Sequence, residues 1–257
     1  MTDDLELAGE LVRQAGRLAA WMLRQGLDVQ HKTSVSDVVS DADRAAEELI
    51  VQALRSARPG DGVVGEEGAE HAGEHGRTWY IDPVDGTYNF LSGLPYWCSA
   101  MALAEHRAGG AREPVLGAVY GPAADELWLG GPDHPTSCNR VPVTPLVDTP
   151  LSRLSLASYL HPATLPDDGA REPLLAMLRG AATVRMLGSG SLELAAVAGG
   201  RLGLWAQLDT LDWDWLPGAA LVLGAGGAVE VLQHRGHRWH LAGNRQAVAE
   251  ARALLLG

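Results

Sequence analysis

Residues 78–90 read TWYIDPVDGTYNF, and no other stretch limits the possible folds as tightly. Four strand-favouring residues, Thr78 to Ile81, run straight into two carboxylates, Asp82 and Asp85. Carboxylates flanked by apolar strand residues are costly unless paired or metal-bound, and the segment contains no Lys or Arg. Pro83 fixes the backbone between the two acids. Gly86 and Thr87 then open a short helix, whose first N–H groups and positive dipole end suit a phosphate. The Thr87 hydroxyl stands where it can hold a water beside a metal.

Two further segments concentrate acids in the same way. VVGEEG puts Glu66 and Glu67 directly after an apolar strand, and LDWDWLPGAALVLGAGG sets Asp214 among Trp213, Trp215 and Leu216. GSGS at 188–191 leads into an apolar helix and is a second strand-to-helix turn suited to an anion. Hard oxygen donors of this kind suit Mg²⁺. Alone, a DPxD turn reads as a solvated turn and Asp214 as a helix N-cap. Together, carboxylates for metals and two anion-binding helix starts make the parts for metal-assisted phosphoryl hydrolysis.

Around these segments the chain alternates helical and strand patterns. Leu5 to Met22 and Ala42 to Leu54 each repeat apolar residues at helical spacing, with Gly26 closing the first and Ser40 and Asp43 resembling a capping box on the second. Strands are expected at 63–65, 78–81, 97–105, 114–120 and 126–130, followed by a loop from Pro132 to Pro150. The second half suggests strands at 152–159, 183–187, 203–208 and 228–232. Its helices are expected at 171–179, 191–198 and 216–225, with a last one capped by Asn244. The alternation predicts a mixed α/β (α+β) fold of layered helices and sheets. Residues 1–148 form an N-terminal half carrying most metal ligands. Residues 149–257 form a C-terminal half carrying Asp214 and the substrate side, the two fused into one globular unit.

The formal net charge of −12 argues against a nucleic-acid partner, while bound metals would still let an acidic protein take an anionic substrate. Cys98 and Cys138 offer no disulfide framework and fit a reducing compartment. The N-terminus lacks a signal-peptide pattern, and no apolar run approaches a membrane span, so a cytoplasmic location is expected. Residues 71–75, HAGEH, match a zinc-peptidase pattern that needs a helix, but Gly68, Gly73 and Gly76 argue for a loop. HRGHRWH at 234–240 reads as a solvated turn.

The three acidic segments resemble the motifs of the inositol monophosphatase family of lithium-sensitive, magnesium-dependent phosphatases. Gly65-Glu66-Glu67 matches its GEE motif, and DPVDGTYNF matches its central motif throughout. Trp213-Asp214 with Gly226-Gly227 matches its WD motif, and KTSVSD from Lys32 to Asp37, with Asp43 after it, resembles its N-terminal loop. The resemblance implies an αβαβα sandwich of the sugar-phosphatase type, usually a homodimer, with two or three Mg²⁺ per site. One Mg²⁺ would be held by Glu66, Asp82 and the Val84 carbonyl, another by Asp82, Asp85 and Asp214. Glu66 with Thr87 would position and deprotonate the attacking water. The Gly86 and Thr87 amides would bind phosphate, and Gly188, Ser189, Gly190 and Asp85 would face the alcohol.

Relatives that prefer inositol phosphate carry a Glu shortly before the WD motif; here the candidates are Ala206 and Gln207, neither acidic, and Leu216 and Pro217 replace the small residues after it. The implied substrate is a small phosphorylated alcohol, inositol monophosphate or similar. Histidinol phosphate, a 3'-phosphoadenosine nucleotide and fructose bisphosphate are alternatives. A non-enzymatic metal- or phosphate-binding regulator is the competing class, and it would be favoured by loss of a metal ligand or of Thr87.

Overall fold

The computed structural model describes residues 3–26, 29–31, 38–107 and 112–257, with no side chains described for 29–31 and 38–40. The Lys32–Asp37 loop and the side chain of Ser40 therefore lie outside the described residues. Seven helices are described: α1 (Asp4–Gln25), α2 (Asp41–Ala57), α3 (Thr87–Leu91), α4 (Asp168–Gly180), α5 (Gly190–Ala198), α6 (Asp212–Gly224) and α7 (Arg245–Leu256).

The larger sheet has eight strands. In spatial order they are Val141–Pro142, His134–Cys138, Glu126–Gly131, Arg112–Gly121, Cys98–His106, Arg77–Asp85, Gly62–Gly65 and Glu70–His71. Only Gly62–Gly65 and Arg77–Asp85 pair in parallel. The smaller sheet orders Thr183–Arg185, Ser155–Ala157, Leu204–Leu208, His237–Gly243 and Ala228–His234, its first three strands parallel.

Five layers result, because each amphipathic helix pair needs a sheet face to cover it. α1 and α2 bury Leu11, Val12, Ile50 and Leu54 against Trp79, Ile81 and Met101 of the large sheet. The other face of that sheet packs on α5 and α6, which also meet the smaller sheet through Trp205 and Ala242. Beyond the acids of their first turns, α5 and α6 are apolar all round, as a helix layer enclosed between two sheets must be. α4 and α7 close the far side over Leu156, Leu204 and Trp239. This is the expected αβαβα sandwich.

Several boundaries differ from the sequence reading. The segment expected as loop at 132–150 contains the strands His134–Cys138 and Val141–Pro142, whose Pro, His and Thr content hides their pairing. At 152–159 only Ser155–Ala157 is strand, after a 3₁₀ turn at Leu151–Arg153. α6 begins at Asp212 rather than Leu216, with Leu211 as N-cap, so Asp214 lies inside the first turn and is not the cap. Residues 71–75 run from a two-residue strand into a bend, which removes the helix a zinc-peptidase pattern requires. HRGHRWH forms a hairpin rather than a wholly solvated turn: His237 contacts both Asp209 and Asp167, and His240 is buried against Trp215. No described helix is long and apolar enough to cross a membrane.

Candidate active site

Asp82 and Asp85 close the strand Arg77–Asp85, and an irregularity in register separates them: Asp82 lies opposite Ala100, Asp85 opposite Cys98. Side chains alternate along a strand, so residues three apart point to opposite faces. The extra residue of this bulge cancels that inversion, and both carboxylates reach one place. α6 brings Asp214 from the other half of the chain. One oxygen from each of Asp82, Asp85 and Asp214 lies within 4.8 Å of the others. Asp82 and Asp85 are buried and Asp214 half-buried. No ion pair to Lys or Arg reaches any of the three among the described residues.

Burial first, then the neighbouring charges of Glu66, Asp85 and Asp214, hold the Asp82 carboxyl well above the usual carboxylate range. Burial and the charges of Asp85 and Glu66 do the same to Asp214. Asp85 is raised by burial but opposed by donors at the start of α5. The Gly190 N–H donates to its Oδ1 at 3.2 Å, and the Ser191 N–H and Ser189 hydroxyl donate to Oδ2 at 2.6 and 3.0 Å. The helix start read from GSGS as an anion site thus receives an anion from within the chain. Its positive dipole end fixes Asp85.

Glu66 follows the strand Gly62–Gly65 and faces the same cleft. Its turn is held by the buried Glu47 of α2, which accepts the Glu67 and Ala69 N–H groups at 2.8 and 2.9 Å. Gly65 is required here, since a Cβ would collide with the Glu47 carboxylate. One helical turn earlier, Asp43 meets Thr87: the Thr87 hydroxyl lies 3.3 Å from Asp43 Oδ1 and 3.0 Å from the Val84 carbonyl. The Val84 carbonyl, expected as a metal ligand, here accepts from Thr87 and keeps a second lone pair. Gly86 caps α3 at φ 92°, and a Cβ would stand 3.0 Å from the Gly188 carbonyl, so the turn is closed to other residues.

Glu66, Asp85, Gly86, Thr87 and Asp214 line one side of a cleft of about 1240 Å³. Gly188, Ser189 and Gly190 line it too, although the Ser189 hydroxyl is committed to Asp85. Of the two residues left open by sequence, Gln207 faces the cleft, whereas Ala206 is buried in the core beneath α4 and α7. Glu193, unassigned by the sequence reading, underpins the turn at Leu187 and Gly188. Its Oε1 accepts the Leu187 and Gly188 N–H groups at 2.8 and 3.3 Å, and its Oε2 accepts the Trp205 indole N–H at 3.0 Å. Burial pushes its carboxyl up to about 7. The one charge in an otherwise apolar helix, GSLELAAVA, was the available signal. Tyr159, Met186 and Thr210 also line the cleft and were not singled out.

A sequence model described as the inositol monophosphatase family matches residues 1–255. A histidinol-phosphatase of Streptomyces coelicolor is 36% identical over 244 residues, spanning 91% of this chain and 88% of the relative. Inositol monophosphatase 3 of Solanum lycopersicum is 31% identical over 254 residues, spanning 96% and 92%. Among solved structures, extragenic suppressor protein suhB from Bartonella henselae superposes with a TM-score of 0.85 at 28% identity, covering 97% of both chains. The IMPase of Thermotoga maritima gives a TM-score of 0.83 at 26% identity, covering 99% of this chain and 97% of that one.

Proposed function

From its membership of the inositol monophosphatase family, which makes this chain a metal-dependent phosphoric monoester hydrolase, we propose that the cleft uses Mg²⁺ to hydrolyse small phosphorylated alcohols. The observation that carries the reading is the meeting of Asp82, Asp85 and Asp214 within 4.8 Å. Three acids, two buried and one half-buried, whose carboxyls are pushed up by loss of water and by one another need a cation, and an all-oxygen donor set suits Mg²⁺. Glu66, Asp82 and the Val84 carbonyl would hold one ion, and Asp82, Asp85 and Asp214 another, with two or three ions per site. Bound Mg²⁺ supplies charge neutralisation on the phosphoryl and leaving oxygens and makes water more acidic.

The chain's own groups do the rest. Of the two acceptors within reach of the Thr87 hydroxyl, the Val84 carbonyl at 3.0 Å and Asp43 Oδ1 at 3.3 Å, Asp43 would take its one proton once the carbonyl holds an ion, which leaves a lone pair on the Thr87 oxygen to accept a hydrogen bond from the attacking water. Glu66, on the same cleft wall, takes the proton. The Gly86 and Thr87 N–H groups at the start of α3 orient the phosphate, and Gly188, Ser189, Gly190 and Gln207 meet the alcohol. Inositol monophosphate, histidinol phosphate and fructose bisphosphate enter as candidates through the names of relatives. Neither Gln207 nor Ala206, the two candidates for the place of the Glu that inositol-preferring relatives carry, is acidic, and the neutral Gln207 amide in the cleft supports an alcohol other than inositol. On family resemblance the reading extends to a cytoplasmic homodimer inhibited by Li⁺. Phosphate release over a panel of these esters tests the proposal. Hydrolysis should need Mg²⁺ and stop on chelation; turnover unchanged by chelator refutes it.

A further inference from the structure

Three parallel strands of the smaller sheet, Thr183–Arg185, Ser155–Ala157 and Leu204–Leu208, run toward the cleft. In open α/β sheets, ligands sit beyond the carboxyl ends of such strands. Just past two of those ends stand Tyr159 and Met186. The Ser158 N–H donates to the Arg185 carbonyl at 3.0 Å, which holds the two chain segments side by side. Both side chains line the cleft, and they remain 39% and 52% exposed. Large apolar side chains kept out of the core and grouped in a cleft wall mark a binding surface. His161 packs edge-on to Tyr159 with ring centroids 6.4 Å apart, and Pro162 and Ala163 extend the wall.

The same cleft holds a polar group in want of a partner. Thr210 is 2% exposed, its hydroxyl has no hydrogen-bond partner, and it lines the cleft beside Gln207. A buried hydroxyl of this kind is costly until a ligand completes it. A polyol phosphate carries a hydroxyl on nearly every carbon. Against Tyr159, Met186, Pro162 and Ala163 those hydroxyls would lose water without replacement. An aromatic ring loses nothing there, and methionine sulfur and aromatic faces attract it.

Building on the phosphatase reading, we infer that the preferred substrate is a phosphomonoester whose alcohol carries an aromatic ring, seated on Tyr159 and Met186, with a hydrogen-bonding group directed to Thr210 and Gln207. The test uses the full chain with Mg²⁺ and two matched esters. 2-Phenylethyl phosphate and ethyl phosphate share a primary alkoxide leaving group and differ in the ring. kcat/KM should favour the phenylethyl ester by on the order of tenfold, the worth of burying part of one ring. Tyr159→Ala and Met186→Ala should each draw that ratio toward one, and a ratio taken within one variant is untouched by any loss of folded protein. Equal kcat/KM for the two esters in the unaltered protein would overturn the inference and leave the reaction class standing. So would faster turnover of inositol 1-phosphate than of the phenylethyl ester, or a ratio that survives both substitutions. Hydrolysis of no ester in the panel would sink the reaction reading and the inference with it.

Discussion

Replacing Asp82 by Asn tests the metal site through stability, independently of any substrate. At the outer separation of 4.8 Å, two ionised carboxylates repel by about 3.5 kcal/mol at an effective dielectric of about 20. Asp82 takes part in two of the three pairs, and Glu66 adds to the repulsion. Without a cation the site avoids most of that cost by binding protons. The raised carboxyls of Asp82 and Asp214 therefore contribute stability that is present at low pH and lost as pH rises through their raised values. Metal-free protein should melt higher at pH 5.5 than at pH 8.

Asp82→Asn removes one charge and keeps the Oδ1 acceptor for the Val84 N–H at 3.1 Å. In chelator at pH 8 it should relieve roughly 3 kcal/mol, a rise in Tm of roughly 6–12 °C for a chain of this size. Mg²⁺ at a hundred times its Kd should stabilise the unaltered protein by about 2.7 kcal/mol per site and do little for the variant. Scanning calorimetry with EDTA and with Mg²⁺, at both pH values, reads all four states. If the variant melts below the unaltered protein in EDTA, or Mg²⁺ leaves the unaltered Tm in place, the three acids are not a cation site.

Thr87→Ala should lower kcat on the order of 10²-fold or more while keeping the Mg²⁺-induced rise in Tm; full activity would remove Thr87 from the chemistry. Asp43→Ala should give a loss of kcat in the same range by taking away an acceptor of the Thr87 hydroxyl, and the two substitutions together should cost little more than either, read in a double-mutant cycle. Glu193, with its carboxyl raised to about 7 by burial, should make stability fall by about 3 kcal/mol as pH rises from 5 to 8; Glu193→Gln should flatten that slope, and an unchanged slope would place the titration elsewhere. Gly65→Ala, by displacing Glu47 from the turn before Glu66, should destabilise by roughly 2–4 kcal/mol, measured by urea unfolding, and a neutral result would contradict the packing of α2 on that turn.

The carboxylates were legible in the sequence because each follows an apolar strand within a few residues, where a charge has no structural reason to be. Asp82 and Asp85 also share one short segment, so local spacing carried most of their geometry. Asp43 and Glu47 were harder. In DADRAAEELI they sit on a helix rich in acids, and one more charge there reads as solvated surface. Their roles depend on Thr87 and on the Glu66 turn, 44 and about 20 residues away, and no local pattern encodes contacts at that range.

The Ala206–Gln207 ambiguity is the opposite case. Leu204, Ala206 and Leu208 are buried together beneath α4 and α7, while Trp205 packs toward the middle helices and Gln207 faces the cleft. A period of two runs through all five residues, and once they form a strand it fixes which face holds Gln207. The pairing of Gln207 with His240, whose ring packs 4.9 Å from that of Trp215, sets that face against α6 and so against Asp214. Gln207 and Asp214 are thus tied by one strand and one helix. A Gln207→Glu substitution should therefore change the ratio of kcat/KM between alcohols while leaving the Mg²⁺ concentration for half-maximal activity within about threefold. A large shift in that concentration would show that the extra carboxylate reaches the metals and that Gln207 does not belong to the alcohol side.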